Sequence, residues 1–517
     1  MRSRRPFAQP ALLVSTALIA LARAAPAQVI AIRTVPIAQG DQFQIFPSAN
    51  LGMGSVSIAL ADTLLDPFVN PAMGARVGAA RFYSAPTIYG ISQGAGGGRT
   101  LPLATLAGAG PWFAGFALAV QQVDPGSPPA ADNVVFNPPV VGVVVRPPLP
   151  TVAPKPSPYA NRYAFAMLGR KLPGAGLALA ASALWARLTG VDGVDLLYPG
   201  NSGLQQFGHA LDLRVGLLKE WTGARSLEAL ALYDRFGMTD DVTYQDPFWD
   251  PATQQIALRS RLERNHDQTN TWGLHVGYTQ PLGAAGWRIG WLATANGMTH
   301  PKLPEYELAN VPVIPRDPGR SSAYNLGIGL SKTRGPTTLG IDAIYEPIWS
   351  YTWADATAPV VTTVGATIPV GGKTFENHFR FSNALLRMGV SRAMELQTLG
   401  RVVELQLGLI VRSVHYGLAQ ADNVQGASNA LTEGWVEWTP TWGLSLRFPD
   451  LEIRYRGRVT KGTGRPGIQS VASVGFFTAG RDVALAGGGI LVAPSGPLSL
   501  QDVSTTTHQV SISLPLP

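Results

Sequence analysis

The side chains best suited to chemistry in this chain are charged residues at alternate positions of strand-like segments. Arg454, Arg456 and Arg458 are the densest group, and their spacing of two residues puts three guanidinium groups on one face of a strand. A guanidinium group binds a carboxylate through two parallel hydrogen bonds, so such a face could capture a carboxylate head group. The same arginines could instead belong to an internal salt-bridge and hydrogen-bond network, and their spacing alone does not decide between these roles. Further charges with this alternation are Asp212, Arg214, Arg288, Asp342, Arg380, Glu404, Arg412 and Glu452.

The histidines do not indicate a metal site or a hydrolytic site. They are scattered through the chain without the spacing of a metal-binding motif, and the strands offer so many Ser and Thr residues that no nucleophile stands out. The run Asn265-His266-Asp267 is predicted to be a turn in a long polar loop. We therefore expect no catalytic residue, no metal and no cofactor. The seven histidines of the chain are His209, His266, His275, His300, His378, His415 and His508.

The elements that must position these charges alternate apolar and polar residues. In residues 211–217 the aliphatic side chains fall on one face of a strand, and Asp212, Arg214 and Gly216 fall on the other. Residues 272–278, 339–345 and 403–409 repeat the pattern. Because the polar faces are rich in Gly and many strands end in Trp or Tyr, the pattern is typical of a transmembrane barrel, apolar towards lipid and polar towards the lumen.

Composition supports this fold class. Of the 517 residues only 14% are charged, whereas about a quarter are charged in typical soluble domains. There are 57 Gly, 42 Pro and no Cys, so closure of a sheet, rather than disulfides, must stabilise the chain. The net charge of +7 includes four arginines in residues 1–27, and no clustered basic stripe predicts a nucleic-acid partner.

The N-terminus is predicted to be a signal peptide over residues 1–27. Arg2, Arg4 and Arg5 form a charged region, residues 11–22 an apolar region, and Ala25-Pro26-Ala27 a cleavage site. The arginine pair also resembles a twin-arginine signal, which exports folded proteins. A barrel crosses the inner membrane unfolded, so we favour an ordinary signal peptide and a location in a Gram-negative type outer membrane.

Hairpins across short Gly- and Pro-rich turns predict the strand order. The first clear pair is 159–170 with 175–188, and the closing strand is 505–516. The strand count is sixteen if 76–85 and 101–107 are strands, and fourteen if everything before Phe113 is a plug. The connections predicted to be long polar loops are 123–158, 189–206, 239–270, 297–322, 350–376, 418–431 and 462–504.

Residues 47–73 lack this alternation and predict a segment folded inside the barrel. Small residues over 52–61 allow close backbone packing, and Asn70-Pro71 reads as a turn. The predicted domains are therefore the signal peptide 1–27, a plug over 28–74, and a barrel with long outer loops over 75–517.

This segment resembles the N-terminal hatch of the FadL-type outer-membrane transporters of long-chain fatty acids and other hydrophobic compounds. The residues that carry the resemblance are Gly52-Met53-Gly54, the Ala-rich stretch 59–62 that ends in Asp62, and Asn70-Pro71-Ala72. The resemblance implies passive uptake of hydrophobic or amphipathic molecules, above all fatty acids. It also implies that outer-membrane lipid and the outer-membrane assembly machinery are partners.

The residues expected to contact ligand are Phe68 and Asn70 of the plug and the three arginines Arg454, Arg456 and Arg458. The alternative function is a barrel without transport, acting as a scaffold or as an assembly or secretion partner. A barrel hydrolase is a third class, and a general porin is disfavoured because a plug opposes an open aqueous channel.

Overall fold

The computed structural model describes residues 38, 42–126, 158–192, 194, 201–250, 252–253, 255–283, 285–301, 307–308, 311–312, 318–356, 358–396, 401–466 and 500–516. Over these residues the chain forms a closed antiparallel barrel of sixteen strands, which confirms the predicted fold class and the higher of the two strand counts. The predicted signal peptide and most of the connections 123–158 and 462–504 lie outside the described residues. None of the helices in the described part is long and apolar enough to cross a membrane.

The barrel closes between its first and last strands. Strand β1 has two segments, Arg81–Ser84 and Thr87–Ile91, and both pair with the next strand of the chain, Gly97–Ala109, and with the last one, Leu500–Pro515. The strands that follow β1 are β2 (Gly97–Ala109), β3 (Trp112–Asp124), β4 (Tyr159–Leu172), β5 (Leu177–Leu188), β6 (Asn201–Trp221), β7 (Arg225–Asp250), β8 (Gln255–Leu282), β9 (Trp287–His300), β10 (Gly319–Arg334), β11 (Thr337–Asp355), β12 (Lys373–Leu396), β13 (Arg401–Asp422), β14 (Ala427–Arg447), β15 (Glu452–Pro466) and β16 (Leu500–Pro515).

Several short helices and strands do not form part of the barrel wall. They are the 3-10 helices Leu51–Met53, Pro71–Arg76 and Pro173–Ala175, the helix α1 (Asp66–Val69), and the two-residue strand pairs Glu307–Leu308 with Val311–Pro312 and Val360–Val361 with Thr367–Ile368.

Three predicted boundaries are wrong. The first strand begins at Arg81 rather than at 76, because Arg76 ends the 3-10 helix Pro71–Arg76. The predicted loop 239–270 is mostly strand, since β7 continues to Asp250 and β8 begins at Gln255, and Asn265-His266-Asp267 is part of β8 instead of a turn. The predicted loop 418–431 is likewise mostly the ends of β13 and β14. These extensions escape prediction because the apolar–polar alternation is interrupted there, for example at Asp240 and Asp241, while the backbone ladder continues.

The outward face of the barrel is an apolar band. Side chains along β3 alternate regularly between exposed and buried, which is the period of a strand with one face outside the wall. Trp272 and Leu274 are 67% and 65% exposed, values normal for a lipid-facing surface and unusual for a water-facing one. Other outward aromatic side chains are Trp112, Phe116, Trp185, Trp221, Trp291, Tyr345, Trp349 and Trp438.

The inward face is polar and glycine-rich, and the N-terminal segment lies against it. A Cβ atom on Gly340 would meet Val56, one on Gly389 would meet the backbone of Met53, and one on Gly290 would meet Ile58. These glycines belong to β9, β11 and β12, while Asn70 and Gly74 of the same segment approach Gly216 of β6 and Phe113 of β3. Residues 42–80 therefore cross the interior of the barrel rather than its surface.

Candidate functional site

The Gly52-Met53-Gly54 turn packs directly on the barrel wall. Gly54 has a φ of +67°, a conformation that favours glycine, and its added Cβ would lie 2.7 Å from the carbonyl oxygen of Met388. The hydroxyl of Thr441 ties the turn to β14, because it accepts a hydrogen bond from the Gly54 N–H and donates one to the carbonyl of Gly52, each 2.9 Å long. Both predicted glycines are thus required by close backbone approach.

Asp62 organises the fold of the N-terminal segment. Its buried carboxylate accepts hydrogen bonds from the Ser48 hydroxyl (2.5 Å) and from the backbone N–H of Ala49 (2.8 Å). It also accepts longer bonds from the backbone N–H groups of Asn50, Leu64 and Leu65. One carboxylate therefore joins residues 48–50 to residues 64–65.

Removing this carboxylate should loosen the segment without opening the barrel. Asp62→Ala removes the carboxylate from four backbone N–H groups, of which Leu65 keeps a second acceptor in the carbonyl of residue 62, and a hydrogen bond to a charged group contributes about 1.5–3 kcal/mol. We expect hydrogen-exchange protection over residues 48–66 to fall roughly 100-fold, which corresponds to about 2.7 kcal/mol. Thr63→Ala, at an exposed neighbour, is the control. Unchanged protection in Asp62→Ala would contradict this role.

The Asn70-Pro71-Ala72 motif fixes the other end of the segment. The Asn70 side-chain oxygen accepts a hydrogen bond from the Ala72 N–H (3.1 Å) and caps the 3-10 helix, in which Pro71 takes the first position. The Asn70 side-chain nitrogen donates to Glu228 of β7 (3.1 Å), and a Cβ on Gly216 would lie 2.0 Å from the Asn70 oxygen. The motif therefore docks on β6 and β7.

Charges on the wall hold the backbone of the same segment. Asp342 accepts hydrogen bonds from the backbone N–H of Ser57 (2.8 Å) and of Ile58 (3.3 Å). Arg214, paired with Asp212 at 2.7 Å, donates to the carbonyl of Val69. These contacts match the internal-network interpretation of the polar-face charges.

Phe68 lies in an aromatic cluster beside a cavity. Its ring stacks on Phe46 with centroids 4.2 Å apart, and Phe165 of β4 packs against both rings. The cavity between the N-terminal segment and the wall has a volume of about 1010 Å³. Its apolar lining includes Phe43, Ile45, Phe46, Ile58, Leu65, Phe68 and Leu292.

The cavity follows the wall over most of its height. Val191 and Asp192, which follow β5 at the end with the longer connections, line one part. Arg225 and Arg288, which directly follow the short turns before β7 and β9, line another. Residues near both rims of the barrel therefore line this cavity beside the N-terminal segment.

The three predicted arginines have different surroundings. Arg454 forms an ion pair with Glu452, and Arg456 donates to the carbonyl of Leu444 (3.0 Å) and the hydroxyl of Ser445 (2.9 Å). Arg458 lines the cavity and donates to the side-chain oxygen of Gln44 (2.7 Å). Of the predicted ligand contacts, the structure therefore places Phe68, Asn70 and Arg458 at the cavity.

Other charged residues at the cavity escaped sequence analysis. Arg76 pairs with Glu220 at 3.0 Å near the short-turn rim, Arg225 begins β7 at the same rim, and Arg387 donates to the carbonyl of Ser55. The sequence signal for Arg387 is its place in the strand alternation, which puts its side chain on the inward face of β12. Within the described residues, no group of three or more His, Asp or Glu side chains is placed to hold a metal ion.

Asp66 adds an unusual carboxyl group to the cavity lining. Burial raises its pKa well above the usual value, and the neighbouring carboxylates of Asp62 and Glu228 raise it further. Its side chain accepts a hydrogen bond from the Asp62 backbone N–H (2.9 Å). A carboxyl group that resists ionisation keeps this part of the cavity less negative than the sequence implies.

No protein-family model matches this chain, and no curated protein matches it. Solved structures similar to it include a FadL homologue of Pseudomonas aeruginosa, with 12% identity, coverage of 92% of this chain and 100% of the other, and a TM-score of 0.41. The toluene transporter TodX of Pseudomonas putida shows 9% identity, 90% and 97% coverage, and a TM-score of 0.37. The ferric-catecholate import receptor Fiu of E. coli shows 7% identity, 85% and 82% coverage, and a TM-score of 0.37. At these values the likenesses carry no argument about function, and the fold assignment rests on the strand pairing described above.

Proposed function

We propose that this chain is an outer-membrane channel for passive uptake of hydrophobic or amphipathic molecules, with long-chain fatty acids as the leading class. In this proposal residues 1–27 are the signal peptide, 28–74 the plug, and 75–517 the barrel inserted by the outer-membrane assembly machinery. The rim with the longer connections faces outward from the cell, as is usual for such barrels. No catalytic step is part of the proposal.

The observation that carries the proposal is the cavity beside the N-terminal segment. An apolar chain would lie against apolar lining residues such as Phe46, Phe68 and Leu292, since burying apolar surface is favourable by about 25 cal/mol per Å². Because the cavity reaches the short-turn rim, a ligand can pass the plug after a local rearrangement instead of its complete removal. Such a path suits a transporter better than a scaffold, which needs no internal space.

Three arginines at the cavity favour an amphipathic acid over a plain hydrocarbon. Arg458 offers a guanidinium at the cavity surface, and Arg225 and Arg288 offer two more near the short-turn rim. We retain Phe68, Asn70 and Arg458 as ligand contacts because they line the cavity. Arg454 and Arg456 are assigned to holding β15 in place, because their hydrogen bonds lie within the wall and towards Ala49.

Equilibrium binding to the purified, detergent-solubilised chain tests both parts of the proposal, the hydrophobic channel and the fatty-acid class. A fluorescent long-chain fatty acid and an uncharged hydrophobic dye should each bind saturably. Arg458→Gln should weaken fatty-acid binding about tenfold, or about 1.4 kcal/mol, and leave the dye unaffected. Arg334→Gln, at an exposed residue of the outward face, is the control.

Each outcome of this experiment has a defined meaning. Dye binding without fatty-acid binding would remove the fatty-acid class and keep the hydrophobic channel. Saturable binding of neither probe, together with a protein partner that co-purifies in a fixed ratio, would favour the scaffold.

A further inference from the structure

A cluster of basic side chains lies on the outward face of the barrel, away from the cavity. Arg162 of β4 is directly opposite Arg187 of β5, and Arg187 is directly opposite His209 of β6. Arg235 of β7 is opposite Leu211, the next outward residue of β6 after His209. All four basic side chains are exposed. Arg162 and Arg187 are therefore a directly opposed pair, and Arg235 lies two strands from Arg187 and one outward position nearer the short-turn rim.

This arrangement is unfavourable unless an anion joins it. Cβ atoms of directly opposed residues lie about 4.5–5.5 Å apart, and like charges in such positions destabilise a sheet. In the described part of the chain, Arg162, Arg187 and Arg235 form no salt bridge with a carboxylate. Arg214, which faces the lumen, does have such a partner, because it is paired with Asp212.

The depth of the cluster places it at the level of lipid head groups. Arg162 is ten residues from Leu172, the last residue of β4 at the short-turn rim. At about 3.3 Å per residue and a tilt of about 40°, this separation is about 25 Å along the membrane normal, which is the height of the apolar band of such barrels. Outward residues between the two levels, such as Leu168, Trp185 and Val215, are apolar and exposed.

We propose that Arg162, Arg187 and Arg235 bind the phosphate of a membrane-lipid head group in the leaflet on the long-connection side. Guanidinium groups bind phosphate oxygens through paired, charge-assisted hydrogen bonds. Because three cations lie within four adjacent strands, a phosphate monoester, with up to two negative charges near neutral pH, fits better than a singly charged diester. The exposed ring of Trp185, one outward position below Arg187, packs against the start of the acyl chains. The site is independent of the proposed channel function, since it lies outside the lumen.

Native mass spectrometry of the full chain with defined lipids tests this site. Phosphatidate carries a phosphate monoester and phosphatidylcholine a zwitterionic diester, so with equal acyl chains the wild-type protein should retain about tenfold more phosphatidate. The double variant Arg162→Gln/Arg187→Gln should lose most of this preference. The matched control is Arg334→Gln/Arg392→Gln, which removes two exposed arginines from the outward face at the short-turn end.

Several results would overturn the site. They are equal retention of the two lipids by wild type, an equal loss of preference in both double variants, or displacement of phosphatidate by inorganic phosphate at the same concentration. A melting measurement guards against misfolding. In detergent without lipid, Arg187→Gln should melt at the same or a higher temperature, because it relieves repulsion, and a clearly lower temperature would show that Arg187 has a structural contact instead.

Discussion

Replacing Ala61 by Trp is expected to reduce binding of hydrophobic ligands at least tenfold. Ala61 is exposed and lines the cavity, so the indole ring would occupy space that ligand needs. A loss of 1.4 kcal/mol corresponds to the tenfold effect. The measurement is equilibrium binding of the fluorescent fatty acid and the uncharged dye.

Thr63→Trp is the matched control for the Ala61 variant. Thr63 is two residues away and also exposed, but it is not among the residues that line the cavity. Its replacement should leave both affinities within about twofold of wild type. Equal losses in the two variants would mean that bulk anywhere on the segment disturbs binding, and the cavity would lose its role.

Replacing Gly408 by Ala is expected to displace the N-terminal segment and open the barrel. A Cβ at Gly408 would lie 2.2 Å from the Gly54 nitrogen and 2.4 Å from the Met53 carbonyl carbon, distances at which backbone must move. The displaced turn would lose its hydrogen bonds with Thr441. Conductance in planar bilayers should therefore rise several-fold above that of the wild type, while heat-modifiable gel mobility shows an intact barrel.

Gly417→Ala makes the same chemical change on the same strand where there is room for it. The nearest atoms to its added Cβ are the Thr432 hydroxyl oxygen at 3.9 Å and the Leu431 carbonyl oxygen at 4.0 Å. Its conductance should equal that of the wild type. If Gly408→Ala remains as closed as Gly417→Ala, residues 52–54 do not block the lumen.

The barrel could be predicted from sequence because its rule is local. Alternation of apolar and polar residues assigns each side chain to lipid or lumen, and glycines such as Gly389 and Gly408 fall on the lumen face as expected. The alternation disappears where the strands extend beyond the apolar band. In β7 and β8 beyond the apolar band, neighbours such as Asp240 and Asp241 are both polar, so the sequence predicts a loop where the strands continue.

The interior could be predicted only in part, because it depends on contacts between residues far apart in sequence. The motif at 70–72 indicated a turn, but its hydrogen bond to Glu228 spans 158 residues. Asp342 could not be assigned to Ser57 from spacing, since they are 285 residues apart. Arg454, Arg456 and Arg458 share a face, yet only the position of the N-terminal segment determines that Arg458 lines the cavity.

Ligand entry into proteoliposomes tests the central claim most directly. Vesicles that contain the wild-type chain, an internal fatty-acid-binding reporter and no other protein should load an added long-chain fatty acid faster than vesicles that contain Ala61→Trp, at equal amounts of folded barrel. Spontaneous flip-flop is the same in both preparations, so the difference reports passage through the cavity. Equal loading rates would contradict the account and indicate that ligand does not pass through the lumen.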